Sequence, residues 1–287
     1  MSSSHLLPCL AFHHGADPAT VLLDVPRKKR IAADMDELKN KHICPATHGY
    51  FLIRCPASIS TFLWNPHNRT RSACRRCLEP YNTFLWYCRI GAGDGDDDEQ
   101  WQKYDYDIGT QPLPDLQTHE KVVISPIAAC GGRFYFNPLG SQLQVIDFSP
   151  APVFSSITVE YADSEGPVFL VGSNDDDLYK VSLLRAMPAR TILGASIHRM
   201  DFSTKRWIKV DDLGGRSFLL SLFYFGTLFS AAADYGLREN CVYIAYPWDK
   251  ILHIVNVKDG SMESQLLDEA PADSDKAFWM PISKSLD

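Results

Sequence analysis

The sequence predicts an all-β chain folded as a β-propeller of six blades, each a short antiparallel sheet. Three observations carry that prediction. Aromatic residues make up 11% of the chain beside 18 Pro and 17 Gly, a mixture that favours short pleated strands separated by many turns. A two-strand pattern recurs along the chain. Helical periodicity is scarce, and only Ala32 to Asn40 offers two turns of it. With 287 residues, 45% of them apolar, the chain can bury a sizeable core and is not disordered. All-β folds of this length often form one domain, and residues 1–287 are expected to do so.

The recurring unit is a strand led by Gly or Asn and carrying an aromatic, a turn, and a second strand closed by an acid or amide. In chain order the first copy is Gly49-Tyr-Phe-Leu-Ile53 with Thr61-Phe-Leu-Trp-Asn-Pro66, and the next is a shortened remnant, Phe84-Leu-Trp-Tyr-Cys-Arg-Ile90 followed by Trp101. Gly131-Gly-Arg-Phe-Tyr-Phe136 with Leu143-Gln-Val-Ile-Asp-Phe148 is the clearest copy. Gly166-Pro-Val-Phe-Leu-Val171 pairs with Ile197-His-Arg-Met-Asp-Phe202 across a longer insert, and Asn240-Cys-Val-Tyr-Ile244 pairs with Leu252-His-Ile-Val-Asn-Val257. The closing residues Asn65, Asp147, Asp201 and Asn256 lie 82, 54 and 55 residues apart. Two of these spacings are close to the kelch period of about 50 residues, and the wide one holds the remnant. A unit of this size cannot bury its faces alone, so units stack radially. Closing such a ring borrows a strand from the other terminus, here Leu7–Phe12 and Ala277–Ile282. Asp201 and Trp207 form the best hairpin: the acid accepts from turn amides and the indole packs between neighbouring blades.

Net charge is -7, yet residues 1–90 hold 12 Lys and Arg against 6 Asp and Glu. The acidic total argues against a nucleic-acid partner. The N-terminal stretch lacks the basic and long apolar regions of a secretory signal, and Ser217 to Ala233 is too interrupted to cross a membrane. A soluble protein of the cytoplasm, the nucleus or both is expected, and its eight cysteines are expected as reduced thiols packing like small hydrophobes.

Chemical motifs are few. Cys74-Arg-Arg-Cys77 has the spacing of a zinc knuckle or a redox pair, but a second Cys or His pair to complete a zinc site is absent nearby. Asp94-Gly-Asp-Asp-Asp-Glu99 starts like a calcium loop but has Glu99 and Asp105 where that loop needs Gly and Glu. It reads as a solvated acidic hairpin tip, with Asn174-Asp-Asp-Asp177 as its twin. Pro26-Arg-Lys-Lys-Arg30 reads as an exposed loop that could serve nuclear import or an anionic partner. No nucleotide-binding, nucleophile-elbow or zinc-protease motif occurs. No catalytic residue, metal or cofactor is therefore assigned.

Gly131-Gly-Arg-Phe-Tyr135, Ile197 to Gly214, Ser230 to Ile244 and Val255-Asn-Val-Lys-Asp-Gly-Ser261 resemble the KIB-type β-propeller family of plants. The likeness is strongest from Val122 to Met262 and looser from Pro8 to Pro80. The resemblance implies a domain often placed after an F-box, whose helices dock on the Skp adaptor of a cullin-RING ubiquitin ligase while the propeller selects the protein to be ubiquitinated. Here propeller-like sequence begins near Pro8, so no F-box is expected within this chain. Skp or cullin would be partners only if an F-box preceded it.

The expected function is a non-catalytic module that binds another protein, as a substrate receptor or as a competitor outside ubiquitin ligases. The competing class is an enzyme with converging polar groups in the central channel. One rim of the ring is expected from the turns near Cys55 to Ser60, Asn137 to Gln142, Ser173 to Asp177 and Tyr246 to Lys250. Tyr246 and Trp248 are the large aromatics of those turns and hence the candidate partner-binding residues. The alternative is that both pack beneath a neighbouring loop.

Overall fold

Strands make up nearly all of the regular structure, as the turn-rich aromatic sequence requires. The computed structural model describes residues 6–13, 20–31, 38, 41–45, 51–54, 61–65, 71–74, 84–87, 102–112, 118–122, 124–138, 140–148, 151–160, 166–173, 175–186, 191–221, 227–229, 232–248, 250–271, 274 and 276–283. Among these the one helical element is a 3-10 turn, Ala232–Tyr235. The helix expected over 32–40 and the acidic stretch 94–99 lie outside the described residues.

In chain order, β1 (Leu6–His13), β2 (Val21–Asp24) and β3 (Lys29–Ile31) begin a sheet that the last strand completes. A four-stranded sheet follows from β4 (His42–Pro45), β5 (Phe51–Arg54), β6 (Thr61–Trp64) and β7 (Arg71–Cys74). Then come two strand pairs, β8 (Phe84–Tyr87) with β9 (Gln102–Asp105), and β10 (Thr110–Pro112) with β11 (His119–Lys121). The next four-stranded sheet is β12 (Ile127–Cys130), β13 (Arg133–Phe136), β14 (Gln142–Phe148) and β15 (Pro152–Thr158). Another holds β16 (Val168–Gly172), β17 (Leu178–Ala186), β18 (Thr191–Asp201) and β19 (Arg206–Lys209). A five-stranded sheet is made by β20 (Ser217–Ser221), β21 (Thr227–Phe229), β22 (Cys241–Ala245), β23 (Ile251–Asn256) and β24 (Met262–Leu266), in the order β21-β20-β22-β23-β24. Finally β25 (Lys276–Ser283) joins the first sheet, giving β25-β1-β2-β3.

The terminal strands pair as the sequence predicts, with Leu7 opposite Ile282 and Phe12 opposite Ala277 in an antiparallel ladder. Copies one, three and five of the repeat are the hairpins β5–β6, β13–β14 and β22–β23. The copy over 166–202 is corrected. Gly166–Val171 contributes β16, the first strand of its sheet, and the supposed insert contains β17, which is the true partner of β18. Leu178-Tyr-Lys-Val-Ser-Leu-Leu is buried on both faces until Leu184, so it shows none of the alternation that would reveal a half-exposed strand.

In three of the larger sheets the closing acid or amide binds the turn that follows it, as expected, whereas Asp147 accepts from the Arg133 guanidinium of the neighbouring strand at 3.2 Å. Asp201 accepts from the backbone amides of Ser203 (2.9 Å) and Thr204 (3.4 Å) and from both hydroxyls. Asn256 accepts from the amides of Lys258 (2.9 Å) and Asp259 (3.3 Å). Asp24 is a further member that the spacing did not reveal, accepting from the amide of Arg27 at 3.1 Å. In all three turns the residue four places on takes the left-handed conformation: Lys28 (φ 56°), Lys205 (φ 56°) and Gly260 (φ 71°). The basic run 26–30 is therefore a tight turn leading into the edge strand β3, with Arg27 to Arg30 exposed. The hydroxyl and amide donors hold the Asp201 carboxyl at about 2, below its ordinary 3.8. A depressed carboxyl stabilises the fold above the unfolded-chain value and loses that contribution as pH falls through the folded one. Asp201→Asn is thus expected to lower the melting temperature at neutral pH, the difference from wild type fading between pH 4 and pH 2 in a melting series.

Four apolar clusters lie between successive sheets. Ala128, Tyr135 and Val145 meet Leu178 and Met200, and Val181 and Leu183 meet Phe218 and Ile244 on the other face of that sheet. Leu219 and Tyr243 meet Leu10 and Trp279, and Cys9 and Phe278 meet Phe51 and Trp64. The five larger sheets therefore stack in one continuous series, the pattern by which propeller units cover one another. Trp207 packs on the first of these clusters, between two sheets as predicted.

Candidate partner-binding rim

In the antiparallel four-stranded sheets the second-to-third strand turns lie at one end and the first-to-second strand turns at the other; the five-stranded sheet departs from the predicted antiparallel pairing, because β20 and β22 run parallel, and its β22–β23 turn lies at the Arg185 end of β17. The connections from β13 to β14 and from β22 to β23 lie at the first of these ends, while the connection from β16 to β17 lies at the second. The predicted rim is corrected on this point: the 173–177 turn does not share an end with the other two. Its counterpart there is the β17–β18 turn. The Cys55 to Ser60 turn lies outside the described residues.

The 173–177 turn is also more than a solvated acidic tip. Asp176 takes the left-handed conformation (φ 60°) and its carboxylate accepts from Gly131 N–H at 3.0 Å, while its carbonyl accepts from the Cys130 thiol at 3.1 Å. Asp177 accepts from the Tyr179 hydroxyl at 3.0 Å, and that hydroxyl in turn accepts from Arg216 at 2.9 Å. One acidic turn thus ties three neighbouring sheets together.

At the other end, the two candidate aromatics separate in role. Tyr246 follows β22 and is buried, whereas Trp248 two residues on is 55% exposed. The rings stack at 5.4 Å with 11° between planes. Tyr246 is held from beneath by the adjacent sheet: the Arg185 guanidinium lies 5.3 Å from its ring centre and donates to its hydroxyl. His253, opposite Ile244 on β23, meets the Tyr246 ring edge-on at 6.3 Å. Tyr246 therefore serves as a rigid base and Trp248 as the face presented to solvent. Spacing could not show this, because Arg185 comes from a strand 61 residues away.

A second feature of this end was not legible. Leu184 pairs with Gly194 and Arg185 with Ile192, so Leu193 is an extra residue in β18. Such a bulge redirects a side chain, and Leu193 is 58% exposed. Leu266, opposite Ile251 beside the Trp248 turn, is exposed as well. Among the described residues, four of the eight exposed large apolar side chains, Leu184, Leu193, Trp248 and Leu266, gather at this end of two neighbouring sheets. Scattered single exposures are ordinary; a concentration of this kind marks a contact surface.

Reactive chemistry is weak elsewhere. Burial, then the Asp24 charge, pushes the Cys9 thiol up to about 12, and burial followed by Asp176 and Asp177 pushes Cys130 to about 11. Burial also raises Cys241. Nucleophilicity belongs to the thiolate, so native-state alkylation at pH 8 mapped by mass spectrometry is expected to leave Cys9, Cys130 and Cys241 unlabelled until denaturant is added. Among the described residues no group of three His, Cys, Asp or Glu side chains is placed to hold a metal ion. Of the Cys74–Cys77 pair, only Cys74, the last residue of β7, lies within the described residues. No helix is long and apolar enough to cross a membrane among the described residues.

A family model described as KIB1-4 beta-propeller matches residues 74–266. No curated protein sequence matches significantly. Among solved structures, apo AztD from Citrobacter koseri aligns over 96% of this chain and 98% of its own at 9% identity, with a TM-score of 0.37. A Bacteroides fragilis protein assigned as a candidate 6-phosphogluconolactonase aligns over 98% and 99% at 10% identity and a TM-score of 0.42. The dihydro-heme d1 dehydrogenase NirN, in complex with DHE, aligns over 96% of this chain and 61% of its own at 11% identity and a TM-score of 0.35. These likenesses are too distant to bear on what the chain does.

Proposed function

The chain belongs to the KIB1-4 beta-propeller family, and from that premise we propose that it is a non-catalytic protein-interaction module that binds a protein partner on the Trp248 rim. The observation that carries this reading is the pairing of an exposed indole with a buried, cation-capped tyrosine. An aromatic held rigid before binding loses little freedom on contact, and Trp is the residue most enriched at binding hot spots. Leu193 and Leu266 extend the apolar surface around it.

In this reading residues 1–287 form one ring of six blades. The five larger sheets take consecutive places, and the short strands β8 to β11 fill the sixth, between β7 and β12. Tyr104, stacked on Phe154 of β15, and Tyr106, tilted against the same ring, support that placement. The partner is a substrate for ubiquitination when a ligase adaptor is engaged, and otherwise a protein the ring competes for, in the cytoplasm or nucleus of a plant cell.

Trp248→Ala is expected to leave the melting temperature unchanged while partner recovery from plant extract, by affinity purification of the full chain, falls about tenfold. Tyr246→Ala is unsuitable for that test, because removing a buried aromatic costs about 3–5 kcal/mol of stability. Recovery of the same proteins by wild type and Trp248→Ala would remove the rim from the account. Absence of Skp and cullin from the wild-type eluate would remove the ligase role and leave the binding role.

A further inference from the structure

The strands that close the larger sheets differ in charge. β3 carries Lys29 and Arg30, β7 Arg71, β19 Arg206 and Lys209, and β24 Glu263. Charged side chains on an outer strand discourage another chain from adding to it. β15, Pro-Val-Phe-Ser-Ser-Ile-Thr, carries none in seven residues. Among the described residues it is the last strand of its sheet, with no strand on its outer side.

The hydrogen-bond phase of β15 fixes which backbone groups face outward. Val159 N–H donates inward to Ser141 O at 2.8 Å, and bonded and unbonded pairs alternate along an antiparallel ladder. Ile157, Ser155 and Val153 therefore bond to β14, while the N–H and C=O groups of Phe154, Ser156 and Thr158 point away from it. Pro152 falls in the outward set, where its missing N–H costs no ladder bond. Next in that set, Glu160 N–H donates to Lys205 O of the neighbouring sheet at 3.1 Å, so this edge already pairs with backbone from outside its own sheet. At that point an open cavity of about 590 Å³ is lined by Thr158, Val159, Glu160, Thr204, Lys205 and Arg206. Arg206 pairs with Glu160, whereas Lys205 is exposed and makes no ion pair with a described residue.

We propose that the outer edge of β15 receives an extended segment of a protein partner as a fifth strand, with uncharged side chains along Val153 to Thr158 and an acidic side chain at the end beside Lys205. Outward N–H and C=O groups at every second residue are what an extended backbone pairs with, and the cavity beside the strand supplies the selectivity. An acidic residue entering the cavity meets Lys205, and a basic one is repelled by Lys205 and Arg206. This surface is separate from the Trp248 rim, to which β15 contributes no residue.

The test is fluorescence anisotropy of the full chain with a labelled peptide, Asp-Thr-Val-Thr-Val-Thr-Asp, which places an acid at whichever end meets Lys205. Saturable binding is expected. Ser156→Pro removes the central outward N–H, leaves the bonds to β14 in place, and is expected to weaken binding about tenfold. Lys205→Asn, which accepts the left-handed conformation of that residue (φ 56°), is expected to weaken it about threefold with no change in melting temperature. Methylating the amides of two adjacent central residues of the peptide is expected to abolish binding, because one of the two must face β15. The methylated peptide and Lys205→Asn keep the test decisive if Ser156→Pro does not fold. No binding of the acidic peptide, or equal binding of its methylated form or of a peptide with Lys in place of both Asp, would overturn the proposal. A wild-type chain that sediments as a dimer, dissociated by Ser156→Pro, would overturn it as well by giving the edge to a second copy of the chain.

Discussion

Replacing Gly172 by alanine is expected to destabilise the fold by about 3 kcal/mol or more, enough to lose the native state of a marginal domain. A Cβ at this position would stand 1.8 Å from the carbonyl oxygen of Ala129 and 2.9 Å from its carbon. Both are backbone atoms of β12, the first strand of the preceding sheet, so no side-chain rotation relieves the clash. Gly172 ends β16, and the first strands of adjacent sheets meet there. Gly194→Ala is the control: its nearest neighbour would be the tip of Leu184 at 3.7 Å, an ordinary contact, and a change within about 0.5 kcal/mol is expected. Urea unfolding of both variants measures the difference. Similar midpoints for the two would contradict close approach of β12 and β16.

Trp279→Ala is the second large effect, with an expected loss of about 3–5 kcal/mol. Trp279 sits on the terminal strand β25, meets Tyr243 edge-on at 6.4 Å and donates its indole N–H to Leu220 O at 3.0 Å. The contact joins the terminal-strand sheet to the five-stranded sheet. Trp279→Phe retains most of the apolar area and removes the hydrogen bond to the Leu220 carbonyl, so a smaller loss of about 1–2 kcal/mol is expected. A Trp279→Ala variant that unfolds at the wild-type urea concentration would mean that β25 contributes little to holding the two sheets together.

Much of this architecture was legible because it is local. An acid or amide that binds its own turn announces itself within five residues, and the pairing of β1 with β25 follows from two apolar strand-like termini that no internal strand claims. Trp207 was readable for the same reason, being six residues from Asp201 in one hairpin. What escaped depends on alternation or on distance. The strand β17 carries no period of two because it is buried on both faces, and reading it as an insert placed the 173–177 turn at the wrong end of its sheet. Asp24 escaped because the strand before it, β1, carries Phe12 but opens without Gly or Asn and reads as the ring-closing terminus.

The rim was only half legible. Turn position and residue type pointed to Tyr246 and Trp248 together, since both are aromatic and adjacent in the turn. Their separation into base and face is a tertiary effect of Arg185, and the exposure of Leu193 follows from a single extra residue in β18. Neither leaves a mark in composition or spacing.

The most direct test of the protein-binding rim is site-specific photo-crosslinking in plant extract, with a photoreactive phenylalanine analogue placed at residue 248 in one sample and at residue 208 in another. Ile208 is a fair comparison because it is 45% exposed on the edge strand β19, away from the rim. The account predicts discrete crosslinked protein bands from position 248, lost when an excess of unlabelled wild-type chain competes, and none of them from position 208. The same bands from both positions, or none from 248 while partners still co-purify with the chain, would contradict it.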